Sequence, residues 1–249
     1  MIRSAFALLT FLLPLALYGQ TADSAGAGTA APAQTPLAGT IQGNRYVAPT
    51  GAYSVEIPIY PELGGTITDT PYVVTFQDSF TTHISIAAIP QDATERWKLE
   101  TNGAKEYLKD FFVHYVARDF LRTNKRAKVE ENARFIPNIL NGAFIAYILL
   151  PGGSMFFNSN YAIAANSPVP TAKRGNMIFV KNGYMYVLST ELAEKATEGT
   201  AYHLTEKEED EILRERLIDV TRKMQFAAAP ASSSSASTTP NITVPLPGK

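Results

Sequence analysis

The three histidines are the residues best suited to acid–base chemistry at neutral pH, and their spacing predicts neither a catalytic site nor a metal site. His83, His114 and His203 lie far apart, and none falls in an H-E-x-x-H pattern. His114 lies beside the apolar stripe of a predicted helix, His83 begins a predicted strand, and His203 precedes a second predicted helix. We therefore interpret all three as packing or capping residues.

The other groups that could carry chemistry also have structural explanations. Ser154 in "PGGSM" occupies a turn and lacks the G-x-S-x-G nucleophile motif. Glu130 and Glu131 are adjacent on a predicted strand, so their side chains point to opposite faces. The acidic run 206–211 begins a predicted helix, where the helix dipole favours negative charge. The sequence thus predicts no catalytic residue, no metal ligand and no cofactor.

Two segments could instead bind a partner. The basic stretch "RDFLRTNKRAK" at 118–128 could bind an anionic partner, a lipid headgroup or a polyanion, or it could be a solvated helix end. The segment 151–175 contains three aromatic residues before a Pro-rich stretch, and long connections are often functional. Alternatively, 155–165 is an ordinary strand whose rings lie in the core. The predicted binding residues are Arg118, Arg122, Lys125, Arg126, Lys128, Phe156, Phe157 and Tyr161.

The two ends of the chain differ in composition from the middle. Residues 1–20 combine Arg3 with a short apolar run, which is typical of a secretory signal peptide cleaved between residues 19 and 27; a retained anchor is the alternative. Residues 21–40 and 227–249 are small and polar with few apolar side chains, so we expect a disordered linker and a disordered tail. The globular domain is predicted at 41–226, a length that suits one core.

The amino-acid composition limits the cellular compartments and the classes of partner that suit this protein. The chain contains no cysteine, which excludes disulfides and suits a bacterial periplasmic or secreted protein. The net charge of −1 gives no global basic field, so specific nucleic-acid binding is not expected. We expect no transmembrane segment in the mature chain, and a cell-envelope protein or an anionic surface as partner.

The elements that would position these residues follow from hydrophobic periodicity. Alternating runs predict antiparallel strands, and spacings of three and four predict an aromatic-rich helix from Thr101 or Asn102 and a closing helix that starts with a Thr205–Glu208 capping box. Asn182–Gly183 predicts a type I′ hairpin turn. Further strands are predicted at 52–59, 72–78, 83–89, 128–136, 142–150 and, more weakly, 155–165. The fold class is α+β: a single-domain α/β/α sandwich with a mostly antiparallel central sheet and two long helices packed on it.

The order of these elements resembles the PsbP-like family, which includes small periplasmic proteins of the DcrB type. The residues that carry the resemblance are "YSVEIP" at 53–58, "GAFIAY" at 142–147, "NGYMYVL" at 182–188 and "MQF" at 224–226. The resemblance would cover nearly all of 46–226. It implies a non-catalytic binding or assembly domain and supplies no catalytic motif.

The leading hypothesis is therefore an exported, non-enzymatic binding or assembly module of the bacterial cell envelope. Two alternatives remain open. One is a hydrolase whose dispersed catalytic residues use one of the three histidines. The other is a small-ligand carrier in which Trp97, the single tryptophan, and several tyrosines line a cleft.

Overall fold

The computed structural model describes residues 36–156, 170–198 and 201–228. These residues form two antiparallel sheets. The larger sheet has the strand order β4-β5-β6-β11-β10-β9-β7, with β8 also paired to β9, and the smaller sheet has the order β1-β2-β3-β12. The strands are β1 (Thr40–Gln42), β2 (Arg45–Val47), β3 (Tyr53–Glu56), β4 (Thr66–Asp69), β5 (Val73–Gln77), β6 (His83–Pro90), β7 (Lys128–Val129), β8 (Arg134–Ile136), β9 (Ala143–Pro151), β10 (Thr171–Lys181), β11 (Tyr184–Glu191) and β12 (Met224–Phe226).

The helices lie on opposite faces of the larger sheet. They are α1 (Ala93–Phe111), α2 (Arg118–Thr123), α3 (Glu194–Thr197) and α4 (Glu206–Lys223); a π-helical segment, Phe112–Ala117, joins α1 to α2, and a 3-10 turn spans Pro61–Leu63. Among the described residues, no helix is both long enough and apolar enough to cross a membrane.

The central hairpin is specified by its turn. Asn182 and Gly183 have φ values of 50° and 80°, the positive values that a type I′ turn requires, and β10 pairs with β11 from Lys181–Tyr184 to Arg174–Glu191. The predicted turn is therefore confirmed. The strands β9 and β6 pair with the two edges of this hairpin, and its side chains pack into a hydrophobic core on each face of the sheet, so almost all of them are buried.

One face of the sheet packs against α1, the π-helical segment and α2. Its core contains Phe112, Phe144, Ile178 and Val187. The helix begins at Ala93, where Asp92 accepts a hydrogen bond from the Glu95 backbone N–H (2.8 Å), and the start predicted at 101–102 lies beside a kink that divides α1 into two helical stretches. Gly103 interrupts it with φ 76° and ψ 159°, a conformation that glycine adopts without steric cost.

The opposite face packs against α4 and the smaller sheet. Leu213 and Leu217 of α4 are fully buried against this core, and the predicted Thr205–Glu208 capping box is present. The "MQF" stretch forms β12, which pairs with β3. Asp69 accepts hydrogen bonds from the Ala38 and Gly39 backbones and from the Tyr46 hydroxyl, which fastens the smaller sheet to β4.

The predicted α+β class, a mostly antiparallel sheet with a long helix on each face, is confirmed. Two strand predictions need correction. The stretch 128–136 forms two short strands, β7 and β8, in place of one. The first strand of the central hairpin, β10, begins at Thr171, so the end of the predicted 151–175 connection belongs to the sheet.

Candidate functional site

The residues of the predicted basic cluster lie on α2, in the turn that follows it and at the start of β7: Arg118 begins α2 and Lys128 begins β7. Arg118, Arg122, Lys125, Arg126 and Lys128 are all solvent-exposed; we call these five residues the basic surface. Only Arg122 is paired with a carboxylate within the described residues, through Asp119 at 2.7 Å. The other four cations remain available to an anionic group from outside the molecule.

Exposed apolar side chains lie along the same stretch of chain. Val113, Leu121 and Val129 are 50%, 43% and 39% exposed. The π-helical segment contributes to this arrangement, because it buries Phe112 and Val116 while Val113 and His114 face solvent. Exposed cations beside a few exposed apolar side chains are suited to binding a protein partner.

The structure joins the two predicted binding segments at Pro151. The Arg126 guanidinium and the Asn124 side-chain amide both donate to the Pro151 carbonyl, at 3.3 and 3.1 Å. The segment then continues through Ser154 to Phe156, which is half-buried. Phe157 and Tyr161, and most of the strand predicted at 155–165, lie outside the described residues.

The segment 154–156 is held by a buried ion pair. Glu191 is fully buried on β11 and pairs with Arg174 of β10 at 3.2 Å. The Ser154 hydroxyl donates to the Glu191 carboxylate at 2.6 Å, and the Met155 backbone N–H donates to it at 3.2 Å. The Ser154 hydroxyl therefore helps to fix the position of the segment 154–156.

The three histidines are not brought together. His114 and His203 are exposed, on the π-helical segment and before α4 respectively, whereas His83 is only 4% exposed on β6. Burial, with Arg174 nearby, lowers the pKa of His83 to about 3, so the imidazole is neutral. Within the described residues, no hydroxyl is hydrogen-bonded to any of the three, and the His83 Nδ1 atom has no partner.

A second concentration of charge is buried, and the sequence did not predict it. Lys173 of β10 is fully buried, and its Nζ atom lies 2.8 Å from Glu130, 3.1 Å from Glu209 and 2.7 Å from Asp210. Lys195 and the Tyr202 hydroxyl also contact the Glu209 carboxylate. We call Lys173 and its three carboxylates the buried charge cluster.

The electrostatics of the buried charge cluster favour a structural role. Burial alone would lower the pKa of Lys173, but the carboxylates of Asp210 and Glu130 outweigh it and raise this pKa above its usual range. A lysine that acts as a nucleophile or base needs the opposite shift, toward neutrality. Burial would also raise the pKa of Glu209, but the contacts with Lys195, Tyr202 and Lys173 lower it, so the Glu209 carboxylate remains ionised. For Glu130, burial outweighs the contact with Lys173 and raises the pKa.

Part of this cluster has the ligand types of a cation site. Oxygen atoms of Glu130, Glu206 and Asp210 lie within 4.8 Å of one another. The Lys173 ammonium already contacts two of these three carboxylates, so it supplies the positive charge that a metal ion would bring. The geometry therefore supports a lysine-centred ion network.

Trp97 does not line a cleft as the carrier hypothesis required. Its side chain is 62% exposed on α1, and it contributes to neither of the two described pockets. One of these pockets is lined by Gln77, Asp78, Met155 and Phe156, among others, and the second lies on the opposite side of the sheet against α4.

Comparison with protein-family models and with curated proteins found no match to the chain. Several solved structures are similar to it. PsbP of the cyanobacterium Synechocystis is 14% identical with a TM-score of 0.43, over 74% of this chain and 91% of PsbP. The Ran-binding protein Mog1p of Saccharomyces cerevisiae is 11% identical with a TM-score of 0.41, over 72% of this chain and 92% of Mog1p.

A protein of Bacteroides thetaiotaomicron is 15% identical with a TM-score of 0.32, and the match covers 75% of this chain but only 49% of that protein. This chain therefore spans about half the length of that structure. With so little shared sequence, these likenesses carry no conclusion about activity. PsbP, a member of the family that the order of elements resembles, is among these similar structures.

Proposed function

We propose that this chain is an exported, non-enzymatic binding or assembly module of the bacterial cell envelope, and that the basic surface binds an acidic face of a partner protein. The observation that carries the proposal is the set of four exposed cations, Arg118, Lys125, Arg126 and Lys128, that no carboxylate in the described residues neutralises. The signal-peptide pattern in residues 1–20 supports export.

The chemistry of the site favours a protein partner over a reaction. The polar groups with ordinary catalytic potential are either dispersed, as the histidines are, or committed to internal contacts, as Ser154, Lys173 and Glu191 are. The basic surface also includes exposed Leu121 and Val129, which can be buried against apolar atoms of a partner. Such surfaces use charge mainly to steer and orient the partner, and apolar contacts to hold it.

Charge reversal tests this proposal. The variant R118E/K125E/K128E should lose a partner that the wild-type mature domain cross-links in intact cells, and binding of that purified partner should weaken as salt rises. The matched control is K181E/K207E/R222E, which makes the same net charge change elsewhere on the protein. If both triple variants bind the partner as the wild type does, the basic surface is not the binding site.

A signal-peptide deletion tests the export component separately. We expect the full chain to be recovered, shortened at its N-terminus, from the periplasm or medium, and the chain lacking residues 1–20 to stay in the cytoplasm. Recovery of both forms in the cytoplasm would contradict export while leaving the binding test unaffected.

A further inference from the structure

A groove of about 250 Å³ lies between β3, the β5–β6 connection and α4, away from the basic surface. Its floor is apolar and consists of side chains from four elements, β3, β5, β6 and α4: Val55, Phe76, Ile84, Ile86 and Val220. Thr81 and Thr82 line its rim. The groove therefore has the composition of a small-ligand site, an apolar floor with a few polar groups at the edge.

The rim is rigid and continues into exposed apolar side chains. Asp78 accepts hydrogen bonds from the backbone N–H groups of Phe80, Thr81 and Thr82 at 2.7–2.9 Å, and these bonds fix the connection that borders the groove. Phe80 precedes the two threonines and is 57% exposed. Tyr60 follows the lining residue Pro58 closely and is 62% exposed. An apolar chain longer than the groove could therefore continue over these rings.

The charges around the groove leave one cation in excess. Glu56 is paired with Arg45 at 3.6 Å, and Arg216 is paired with Glu194. Asp219 is shared by Arg222 and Lys223, each at 3.4 Å, so one of these two positive charges is not neutralised.

The end of α4 next to the groove does not repel an anion as a bare helix terminus would. The Arg45 guanidinium donates to the Lys223 carbonyl at 3.0 Å and satisfies that acceptor. Lys223 lines the groove together with Asp219, whereas Arg222 does not; because Arg222 also contacts Asp219, that carboxylate neutralises Lys223 only in part. A single negative charge at the rim would therefore meet Lys223.

We propose that this groove binds a small amphiphilic monocarboxylate, with its alkyl chain on the apolar floor and its carboxylate beside Lys223. Apolar burial supplies most of the affinity in such a site, and the single excess cation selects a carboxylate over an amine of the same chain length. This site is independent of the proposed partner-binding surface, and either can fail without the other.

The test is a titration of the mature domain with octanoate and, in parallel, with octylamine, followed by amide NMR shifts. We expect octanoate to bind saturably, with shifts at residues around the groove, and octylamine to bind at least about tenfold more weakly, which corresponds to about 1.4 kcal/mol. Absence of saturation with octanoate, or equal binding of the two probes, would overturn the proposal.

Two matched variants locate the site. K223E should weaken octanoate binding about tenfold, while R222E, with the same charge change at a neighbouring position outside the groove, should weaken it less than about threefold. Val220→Trp should fill the groove and abolish binding, provided that its unfolding curve shows a folded domain. Equal effects of K223E and R222E, or unchanged binding in a folded Val220→Trp variant, would place the ligand elsewhere and overturn the assignment.

Discussion

Charge is concentrated in two regions of this molecule, and the regions differ in what surrounds them. In the buried charge cluster, Lys173 is fully enclosed and contacts three carboxylates. On the basic surface, five cations face solvent, and among the described residues only Arg122 is paired with a carboxylate, that of Asp119. A high density of charge therefore does not by itself mark a binding site. Charges that are neutralised inside the protein hold its shape, whereas charges left unpaired on its surface are available to a partner.

The largest expected effect is on the buried side of this comparison. Lys173→Met should destabilise the domain by about 3–5 kcal/mol, because it leaves the buried carboxylate of Glu209 and the half-buried carboxylates of Glu130 and Asp210 without this ammonium partner. Urea denaturation measures the change. Lys125→Met, the same substitution on the basic surface, should change the free energy of unfolding by less than about 0.5 kcal/mol. If Lys173→Met and Lys125→Met lost similar free energies of unfolding, the distinction between buried structural charges and exposed charges would be wrong.

His83 provides a pH-dependent test of the polar interior. Its pKa is about 3 in the folded state against a usual value of 6.5, so the unfolded chain binds a proton at mildly acidic pH that the folded chain does not. Its contribution to stability is therefore complete above pH 6.5 and decreases as pH falls toward 3. Between pH 7.5 and 4.5 the loss should be about 3 kcal/mol.

The control for that pH series is a pair of histidine variants. His83→Asn should remove this part of the pH dependence, while His114→Asn, at an exposed position, should keep it. If the two variants show the same slope of stability against pH, His83 is not neutral in the folded protein.

An ion pair at the boundary between the two environments should have an intermediate effect. Arg216 and Glu194 are about one-third exposed and join α4 to α3, and their contact lowers the pKa of Glu194 although burial alone would raise it. Arg216→Ala should cost about 1 kcal/mol in thermal or urea unfolding. Arg222→Ala removes a cation that is 66% exposed and should have almost no effect. If Arg222→Ala lost more free energy of unfolding than Arg216→Ala, solvent exposure would not determine how much these ion pairs stabilise the fold.

Local features were predictable from the sequence. The Asn182–Gly183 turn and the Thr205–Glu208 capping box depend on neighbouring residues, so their residue types specify them. The start of α1 was also signalled locally, by Asp92 followed three residues later by Glu95, but the aromatic stripe further along the helix was the stronger pattern. The exposure of the predicted cations Arg118 and Lys125 followed from their position at a polar helix end.

The charged interior could not be predicted in the same way. Asn132 donates to Asp210 across a sequence separation of 78 residues. Lys173 contacts one carboxylate from each of these two parts of the chain, Glu130 and Asp210. In the sequence, Glu209 and Asp210 belong to an acidic run that helix capping already explains, and Lys173 lies where a connection was predicted. Only the pairing of β10 with β9 places that lysine under α4, and this pairing is a property of the whole sheet. The groove beside α4 is likewise formed by elements far apart in the chain.

The smallest expected effect on stability belongs to the basic surface, where binding should change most. R118E/K125E/K128E should retain the wild-type free energy of unfolding within about 0.5 kcal/mol, because none of the three cations has a carboxylate partner in the described residues. A destabilisation of several kcal/mol would show that these cations are structural, as Lys173 is.

The most direct test of the central claim measures unfolding and partner binding on the same two proteins, Lys173→Met and R118E/K125E/K128E. We expect Lys173→Met to lose stability but to bind the cross-linked partner with wild-type affinity at a temperature where it is folded. We expect the triple variant to keep its stability and to lose the partner. If the folded Lys173→Met protein loses the partner while the triple variant keeps it, the buried cluster is the functional site and the claim is wrong.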